Sequence, residues 1–160
     1  MSTNTYPRIF IVEDNPMYNA MVQSVLQRAG YTNVYSFTSG AACLEQLYTM
    51  PDIVFLDYGL EDMTGLQVLK NIKSFDPDIQ VVFLSGQEDM EMALSTLKYG
   101  AFDYVVKNDE AMERIIALME RLLQVRTVIK KHYRSKRLTQ KVVVGALVLA
   151  SICLACFTLL

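Results

Sequence analysis

The sequence lacks the basic charge and the leader that would point to a nucleic-acid-binding or a secreted protein. Residues 1–126 carry nine Lys and Arg against seventeen Asp and Glu, a formal charge of −8, whereas a nucleic-acid-binding domain presents a basic face to phosphates. The first residues are polar, without the basic and apolar regions of a secretory signal peptide. The three cysteines are an odd number and badly placed for pairing, which favours a reducing compartment. We therefore expect an acidic cytosolic domain that does not bind nucleic acid.

Acidic residues are absent after residue 126, and charge of either sign is absent after Lys141. Residues 127–160 carry six Lys and Arg, and residues 142–160 are nineteen positions without a charge, Pro, Asn or Gln. As a helix this run rises roughly 28 Å, which matches a bilayer hydrocarbon core of about 30 Å. Basic residues directly before a membrane span stay on the cytoplasmic side. The sequence therefore predicts a globular domain at 1–126, a basic helical linker at 127–141 and a single transmembrane helix at 142–160.

Each part of this C-terminal region also has a plainer interpretation. The linker can contact anionic membrane lipid, at about 1 kcal/mol for each charge, or it can be a solvated connection. The apolar run can be a buried helix of a soluble protein, although such a helix normally has a polar face. Cys153 and Cys156 have the spacing of a redox or metal site, but within an apolar helix we interpret them as small packing residues.

Within residues 1–126, short apolar runs alternate with amphipathic stretches. The apolar runs predict strands at 8–12, 34–37, 53–56, 81–84 and 104–106. The stretches between them predict helices at 16–29, 40–48, 66–75 and 90–99, and a fifth helix begins near Glu110. Asn15 and Ser39 suit helix starts, and Gly30 and Gly100 suit helix ends. The alternation predicts an α/β fold with a five-stranded, doubly wound parallel sheet, in which ligands bind at the carboxyl ends of the strands.

Side chains with ionisable or hydroxyl groups follow four of the predicted strands. Glu13 and Asp14 come after the first strand, Asp57 after the third, Ser85 after the fourth and Lys107 after the fifth. Three carboxylates that meet need a cation, and hard oxygen ligands in a partly hydrated site suit Mg²⁺. With that charge compensated, Asp57 can attack a phosphoryl donor and form an aspartyl phosphate. Each residue alone is better explained as a cap, a turn or a solvated charge, so the ordered set carries the prediction.

The same residues stand in segments that resemble a known family. The segments are IFIVEDN at 9–15, DIVFLDYGL at 52–60, MTG at 63–65, VFLSG at 82–86 and GAFDYVVK at 100–107. They resemble the receiver domains of bacterial response regulators in two-component signalling. The resemblance implies a flavodoxin-like fold and a phosphoacceptor that is served by a sensor histidine kinase or a phosphotransfer protein. With the apolar C-terminal run, we expect a single-pass protein of the bacterial cytoplasmic (inner) membrane whose receiver domain faces the cytoplasm.

The resemblance also implies a role for each residue of the site. Asp57 would be the phosphoacceptor. Mg²⁺ would be held by Glu13, Asp14, Asp57 and the backbone carbonyl of Gly59. Lys107 would pair with the phosphoryl group.

Two further residues are implied as a conformational switch. The phosphoryl group would draw the hydroxyl of Ser85 inward, and the ring of Tyr104 would move into the vacated space. The face formed by the fourth helix, the fifth strand and the fifth helix would change with it, and we call this the switch face. An effector protein would bind there. A buried core tyrosine is the plainer interpretation of Tyr104.

Some positions depart from the family pattern. Asn108 stands where the family has proline after the lysine, a position associated with a cis peptide bond, and non-proline cis bonds cost about 2.5–4 kcal/mol. Whether the bond between Lys107 and Asn108 is cis or trans is left open, and with it the placement of the lysine. Glu61 replaces another of the family's prolines and adds a negative charge near the site. Gly59 and Gln87, which by analogy with the family flank the path of the attacking water, do not place an acid or amide together as rapid autophosphatases do, so the lifetime of the phosphoryl group is not predicted.

The fifth predicted helix carries two apolar stripes. The first consists of Ile115, Leu118, Leu122, Val125 and Ile129, and the second of Met112, Ile116, Met119 and Leu123. One stripe must cover the sheet. The other can pair with a second copy and give a homodimer, but a helix that simply packs on its own domain fits the short pattern as well.

The remaining residues leave no room for an output domain, and the single histidine, His132, lies in the linker. We therefore expect no enzyme activity beyond self-phosphorylation and slow autodephosphorylation, and a signal passed by phosphorylation-dependent protein contact. A hydrolase of the aspartyl-phosphate type would need a second Asp where Gly59 stands. A flavodoxin-like cofactor would be repelled by Glu13 and Asp14. The alternative that stays open is a non-phosphorylated receiver-fold scaffold that docks partners at the membrane.

Overall fold

The computed structural model describes residues 6–86 and 90–158, with side chains up to Ser135 except those of Met90 and Arg134. The chain divides into two compact units, Met1–Leu123 and Gln124–Leu160. The strands are β1 (Ile9–Val12), β2 (Val34–Phe37), β3 (Ile53–Asp57), β4 (Gln80–Ser85) and β5 (Asp103–Val106). The helices are α1 (Pro16–Arg28), α2 (Gly40–Glu45), α3 (Gly65–Phe75), α4 (Met90–Lys98) and α5 (Ala111–Thr158).

The five strands form one parallel sheet in the order β2-β1-β3-β4-β5. β1 and β3 are buried along their whole length, as expected for strands covered by helices on both faces. On one face, α1 and α5 contribute Val22, Leu26 and Ile115 to the core, and on the other α2 and α3 contribute Cys43 and Leu69. The prediction of a five-stranded, doubly wound parallel sheet is confirmed.

The helices begin and end at capping residues that the sequence predicts. The side chain of Asn15 accepts hydrogen bonds from the backbone N–H groups of Met17 and Tyr18, and Pro16 occupies the first turn. Ser39 caps α2 in the same way. Gly30 has a φ of 89°, a left-handed conformation that ends α1 at low cost. The predicted caps at these positions are confirmed.

The second helix is shorter than predicted. The helix expected over 40–48 ends at Glu45, and a 3₁₀ turn follows at Leu47–Thr49. The backbone of Gln46 is no longer α-helical, with φ −98° and ψ 2°. Its carbonyl oxygen accepts hydrogen bonds from both the backbone N–H and the hydroxyl of Thr49. Pro51 lies just beyond, and the residue before a proline avoids the right-handed helical region. The prediction was wrong because apolar periodicity does not distinguish an α-helix from a tightened last turn.

The parts of both apolar stripes of α5 that lie before residue 123 pack within the first unit. From the first stripe Ile115, Leu118 and Leu122 are buried, and from the second Met119 is buried while Met112 and Ile116 pack partly against the same cluster. This favours the simpler interpretation, in which the helix packs on its own domain, for the part of α5 up to residue 122.

The C-terminal prediction concerns residues 142–160. Across the part of the chain that the structure describes, no helix combines the length and the hydropathy that crossing a bilayer requires. The backbone of α5 is helical as far as Thr158. The side chains of the predicted span and all of residues 159–160 lie outside the described residues.

Candidate functional site

Three carboxylates meet at the carboxyl ends of β1 and β3. One oxygen from each of Glu13, Asp14 and Asp57 lies within 4.8 Å of the others. Glu13 is fully buried and Asp57 is 6% exposed, whereas Asp14 is only half-buried. The backbone N–H of Asn15 donates to the carboxylate of Glu13 at 3.3 Å. The convergence expected from the strand ends is therefore present.

Lys107 completes the cluster from β5. Its Nζ lies 2.6 Å from Oε2 of Glu13 and 3.0 Å from Oδ1 of Asp57. Its backbone N–H donates to the carbonyl of Ser85 at 2.7 Å, which ties the start of the following loop to β4. No described peptide bond is cis, so the bond to Asn108 is trans and the lysine reaches both acids without the family's proline.

The charges of this pocket do not cancel. With all groups ionised, three carboxylates face one ammonium group, which leaves two negative charges. Burial raises the pKa of Glu13, the hydrogen bond from Lys107 opposes this, and the charge of Asp57 adds to it. A divalent cation would neutralise the surplus, and oxygen donors are the ligands that Mg²⁺ prefers. The residues present therefore fit Mg²⁺.

The loop after β3 is held at two points by contacts that the sequence did not predict. The carboxylate of Asp62 accepts hydrogen bonds from the backbone N–H groups of Gly40 and Ala41, at 3.0 and 2.8 Å, and so clamps the start of α2. These bonds, that from Ala41 first, hold the pKa of Asp62 below its ordinary value. At the other end, the N–H of Gly65 donates to the carbonyl of Tyr58 at 2.9 Å. The predicted metal ligand Gly59 lies between these two points.

The two predicted switch residues share a neighbour. Ser85 is the last residue of β4 and Tyr104 lies on β5, and both side chains are buried. The hydroxyl of Ser85 is 4.0 Å from the sulfur of Met92, and the hydroxyl of Tyr104 is 3.7 Å from it. A thioether is a weak acceptor, so α4 contributes one side chain that touches both hydroxyls. The sequence does not predict this contact, because a methionine on the apolar face of a helix is normally interpreted as a core residue.

Tyr18 is a further residue that sequence reasoning missed. Nζ of Lys107 lies 4.7 Å from the centre of its ring, within the range of a cation–π contact. Its hydroxyl oxygen is buried and has no hydrogen-bond partner among the residues that the structure describes. Burial, with the charges of Glu13 and Asp57, raises the pKa of Tyr18 to about 12.

Comparison with known proteins agrees with this geometry. Residues 9–120 match the family described as response regulator receiver domain. The chain is 30% identical over 101 residues to the chemotaxis protein CheY of Thermotoga maritima, which covers 62% of this chain and 84% of that protein. It is 31% identical over 134 residues to the nitrogen assimilation regulatory protein NtrX of Azorhizobium caulinodans, which covers 82% of this chain and 29% of that protein.

Solved structures give the same result. The receiver domain of DrrB, described as BeF3-activated, superposes with a TM-score of 0.68 and 28% identity over 74% of this chain and 98% of that one. NtrX from Brucella abortus superposes with a TM-score of 0.72 and 27% identity over 79% of this chain and 28% of that one.

Several of the relatives are much longer than the matched region. The chain spans 29% of the Azorhizobium NtrX and 52% of the transcriptional regulatory protein YbdJ of Bacillus subtilis. The match therefore concerns the receiver portion of those proteins. This chain belongs to the response regulator receiver domain family, whose domains bind Mg²⁺ at an acidic pocket and accept phosphoryl groups from histidine kinases or phosphotransfer proteins in two-component signalling.

Proposed function

We propose that this protein is a membrane-tethered response regulator that accepts a phosphoryl group on Asp57 and signals by protein contact. The single observation that carries the proposal is the position of Lys107, whose ammonium group lies 3.0 Å from Oδ1 of Asp57 inside a pocket of three carboxylates. An ion pair at that point places a fixed positive charge where a phosphoryl group on Asp57 would bring negative charge.

The transfer needs one nucleophile and charge compensation. A carboxylate oxygen of Asp57 attacks the phosphorus of a phosphohistidine, the new P–O bond forms and the P–N bond breaks. The imidazole leaves with the electron pair of that bond and takes up a proton. The ammonium of Lys107 offsets the charge that the phosphoryl oxygens carry through this step.

The acidic residues hold the cation in this proposal. Glu13, Asp14 and Asp57 supply carboxylate oxygens, and Gly59 supplies its backbone carbonyl. When bound, Mg²⁺ neutralises the pocket and lets a dianionic phosphoryl group approach a carboxylate. The two surplus negative charges of the pocket support this assignment.

The output is a change on the switch face. Ser85 and Tyr104 act as the switch pair, and an effector protein recognises the altered surface of α4, β5 and the domain part of α5. Support comes from the shared contact of the two hydroxyls with Met92 of α4. A shift of either hydroxyl changes the contacts of that helix.

The tether rests on the sequence of the C-terminal region. The uncharged run at 142–160 and the basic segment before it support a single span of the bacterial cytoplasmic membrane, with the receiver domain on the cytoplasmic side. Attachment to one surface raises the local concentration of a membrane-bound kinase or effector. A homodimer through α5 stays a separate prediction, and light scattering of the solubilised chain tests it.

Intact-protein mass spectrometry tests phosphorylation directly. The full chain in mild detergent is exposed to acetyl phosphate and Mg²⁺, beside Asp57→Asn and beside Asp109→Asn, a control at an exposed aspartate. We expect a labile gain of one phosphoryl group in the wild type and in the control variant, and none in Asp57→Asn. A folded wild-type chain that gains nothing would contradict the proposal and favour the non-phosphorylated scaffold.

A further inference from the structure

Tyr18 is placed beside the phosphorylation pocket by the start of α1. β1 delivers Glu13 and Asp14 to the pocket, and Asn15 then caps the helix by accepting the backbone N–H groups of Met17 and Tyr18. The cap and Pro16, whose ring restricts the backbone, together set the direction of the first turn. Tyr18 therefore stands one helical turn from the acidic pair, on an ordered backbone.

The ring of Tyr18 is one wall around the ammonium of Lys107. That ammonium contacts Glu13 at 2.6 Å, Asp57 at 3.0 Å and the ring centre of Tyr18 at 4.7 Å. Two carboxylates and an aromatic face thus restrict a side chain that has four rotatable bonds. Replacing the ring removes one of three contacts that orient the ammonium.

The hydroxyl of Tyr18 is a buried polar group whose hydrogen bond is not made by the residues that the structure describes, although buried polar groups are nearly always paired. It nevertheless lies in the field of the pocket, since the charges of Glu13 and Asp57 add to burial in raising its pKa to about 12. The phenol stays protonated at neutral pH and is available as a donor.

A phosphoryl group on Asp57 would bring the missing acceptor, because it adds three strongly accepting oxygens to the pocket. We infer that the hydroxyl of Tyr18 donates a hydrogen bond to the phosphoryl group on Asp57, while its ring holds Lys107 in place. This inference rests on the proposed phosphorylation of Asp57. It makes Tyr18 a binding residue of the phosphorylated state that contributes nothing to Mg²⁺ coordination.

Two substitutions separate the hydroxyl from the ring. Tyr18→Phe removes only the hydroxyl, and Tyr18→Leu removes the aromatic face as well. Tyr48→Phe is the control, because Tyr48 is 70% exposed and lies in the 3₁₀ turn at Leu47–Thr49. The full chains in mild detergent are titrated calorimetrically with Mg²⁺ alone and then with beryllofluoride in saturating Mg²⁺, as a mimic of the phosphoryl group.

We expect Tyr18→Phe to bind Mg²⁺ like the wild type and beryllofluoride about ten- to a hundredfold more weakly, the loss typical of one hydrogen bond to a charged group. Tyr18→Leu should lose more, since Lys107 is then also less restrained. Without ligand, Tyr18→Phe should unfold at the same or a higher temperature than the wild type, because the hydroxyl it lacks was unpaired. A purely structural hydroxyl would instead lower the unfolding temperature.

The outcomes separate this inference from the proposed function. If the wild type binds beryllofluoride and Tyr18→Phe binds it equally well, the hydroxyl has no role and the inference is overturned while Asp57 phosphorylation stands. If Tyr18→Phe weakens Mg²⁺ and beryllofluoride alike, Tyr18 acts on the metal site and the inference is again overturned. If the folded wild type binds Mg²⁺ but neither beryllofluoride nor a phosphoryl group, the proposed function falls and this inference falls with it.

Discussion

The ammonium of Lys107 contacts Glu13, Asp57 and the ring of Tyr18 at once. It neutralises one of three carboxylate charges, and it lies within 3.0 Å of the proposed nucleophile. Asn108 follows it in a trans peptide bond, and the side chain of Asn108 accepts the backbone N–H of Glu110 at the start of α5. The lysine is therefore positioned by its strand and by the helix cap behind it.

The charge of Lys107 has two expected effects: it weakens Mg²⁺ binding and it favours phosphoryl uptake. Lys107→Met should therefore change these two quantities in opposite directions. Without the ammonium the pocket would carry three negative charges, so we expect Mg²⁺ to bind about tenfold more tightly, equivalent to about 1.4 kcal/mol. Phosphoryl uptake from acetyl phosphate should fall, because no fixed cation is left to meet the phosphoryl oxygens. Calorimetry and intact mass measure the two quantities. Weaker binding of Mg²⁺ by the folded variant would show that Lys107 organises the carboxylates more than it competes with the metal.

Among the glycines that the structure describes, Gly65 has the nearest neighbour to an added Cβ. A Cβ built there would lie 2.5 Å from the carbonyl oxygen of Asp57 and 2.9 Å from the Cα of Tyr58. Backbone atoms cannot turn aside as a flexible side chain can. We expect Gly65→Ala to lower the free energy of unfolding by about 1–3 kcal/mol and to weaken Mg²⁺ binding, since the loop after Asp57 must shift.

Gly86→Ala is the matched control, because a Cβ at Gly86 meets nothing within 4 Å and the residue is exposed. Denaturant unfolding monitored by circular dichroism compares the two variants. Equal stability of Gly65→Ala and Gly86→Ala would contradict the close approach described for this loop.

At the scale of elements, the short helix α2 is joined to the site through Asp62. Six residues make few internal hydrogen bonds, so the cap matters more than in a long helix. Ser39 satisfies the N–H of Ala42, and Asp62 satisfies those of Gly40 and Ala41. The loop that contains the proposed metal ligand is thereby attached to a helix far from it in sequence.

Asp62→Ala should lower the free energy of unfolding by about 1 kcal/mol at neutral pH, the usual cost of losing a cap. The hydrogen bonds hold the folded pKa of Asp62 below its ordinary value, so its contribution to stability is complete above the unfolded pKa and is lost as pH falls through the lower folded pKa. The difference from the wild type should therefore shrink only at strongly acidic pH. Glu61→Ala, at an exposed neighbour, should leave stability unchanged. An Asp62→Ala chain as stable as Glu61→Ala at pH 7 would contradict this role.

At the scale of the whole molecule, the distribution of charge separates the two predicted parts of the chain. All seventeen Asp and Glu lie before residue 127, and all six charged residues after it are basic. The net negative charge of the domain is repelled by an anionic lipid surface, whereas the basic segment is attracted to it. This charge distribution supports the proposal that the basic segment contacts anionic lipid.

Replacing Leu147 and Leu149 by Arg tests the tether. Arginine at the centre of a span costs roughly 2.5–3.5 kcal/mol for each residue on insertion scales, so two should prevent insertion. We expect the wild type in the membrane fraction of bacterial cells after an alkaline wash, and the double variant in the supernatant. Acetyl phosphate should still label both chains. Recovery of the wild type in the supernatant would contradict the transmembrane prediction.

The sequence by itself determined the order of the elements, the parallel sheet and the set of strand-end residues. Short apolar runs favour strands, and their strict alternation with helices favours a doubly wound sheet whose central strands are buried on both faces. Carboxyl ends of parallel strands share one edge, so Glu13, Asp57 and Lys107 had to approach one another. The resemblance of these segments to receiver domains then named the chemistry, and the family comparison confirmed the family.

Only the tertiary structure decided which side chains surround that set. Tyr18 meets Lys107 across 89 residues of sequence, Met92 meets both Ser85 and Tyr104, and Asp62 reaches back to α2. The sequence spacing of these residues is not distinctive. A tyrosine or a methionine on the apolar face of a helix fits the pattern of a core residue, and that pattern does not say which side chains it contacts. Their contacts depend on the distance and rotation at which each helix packs on the sheet, and packing of whole elements, not local periodicity, sets both.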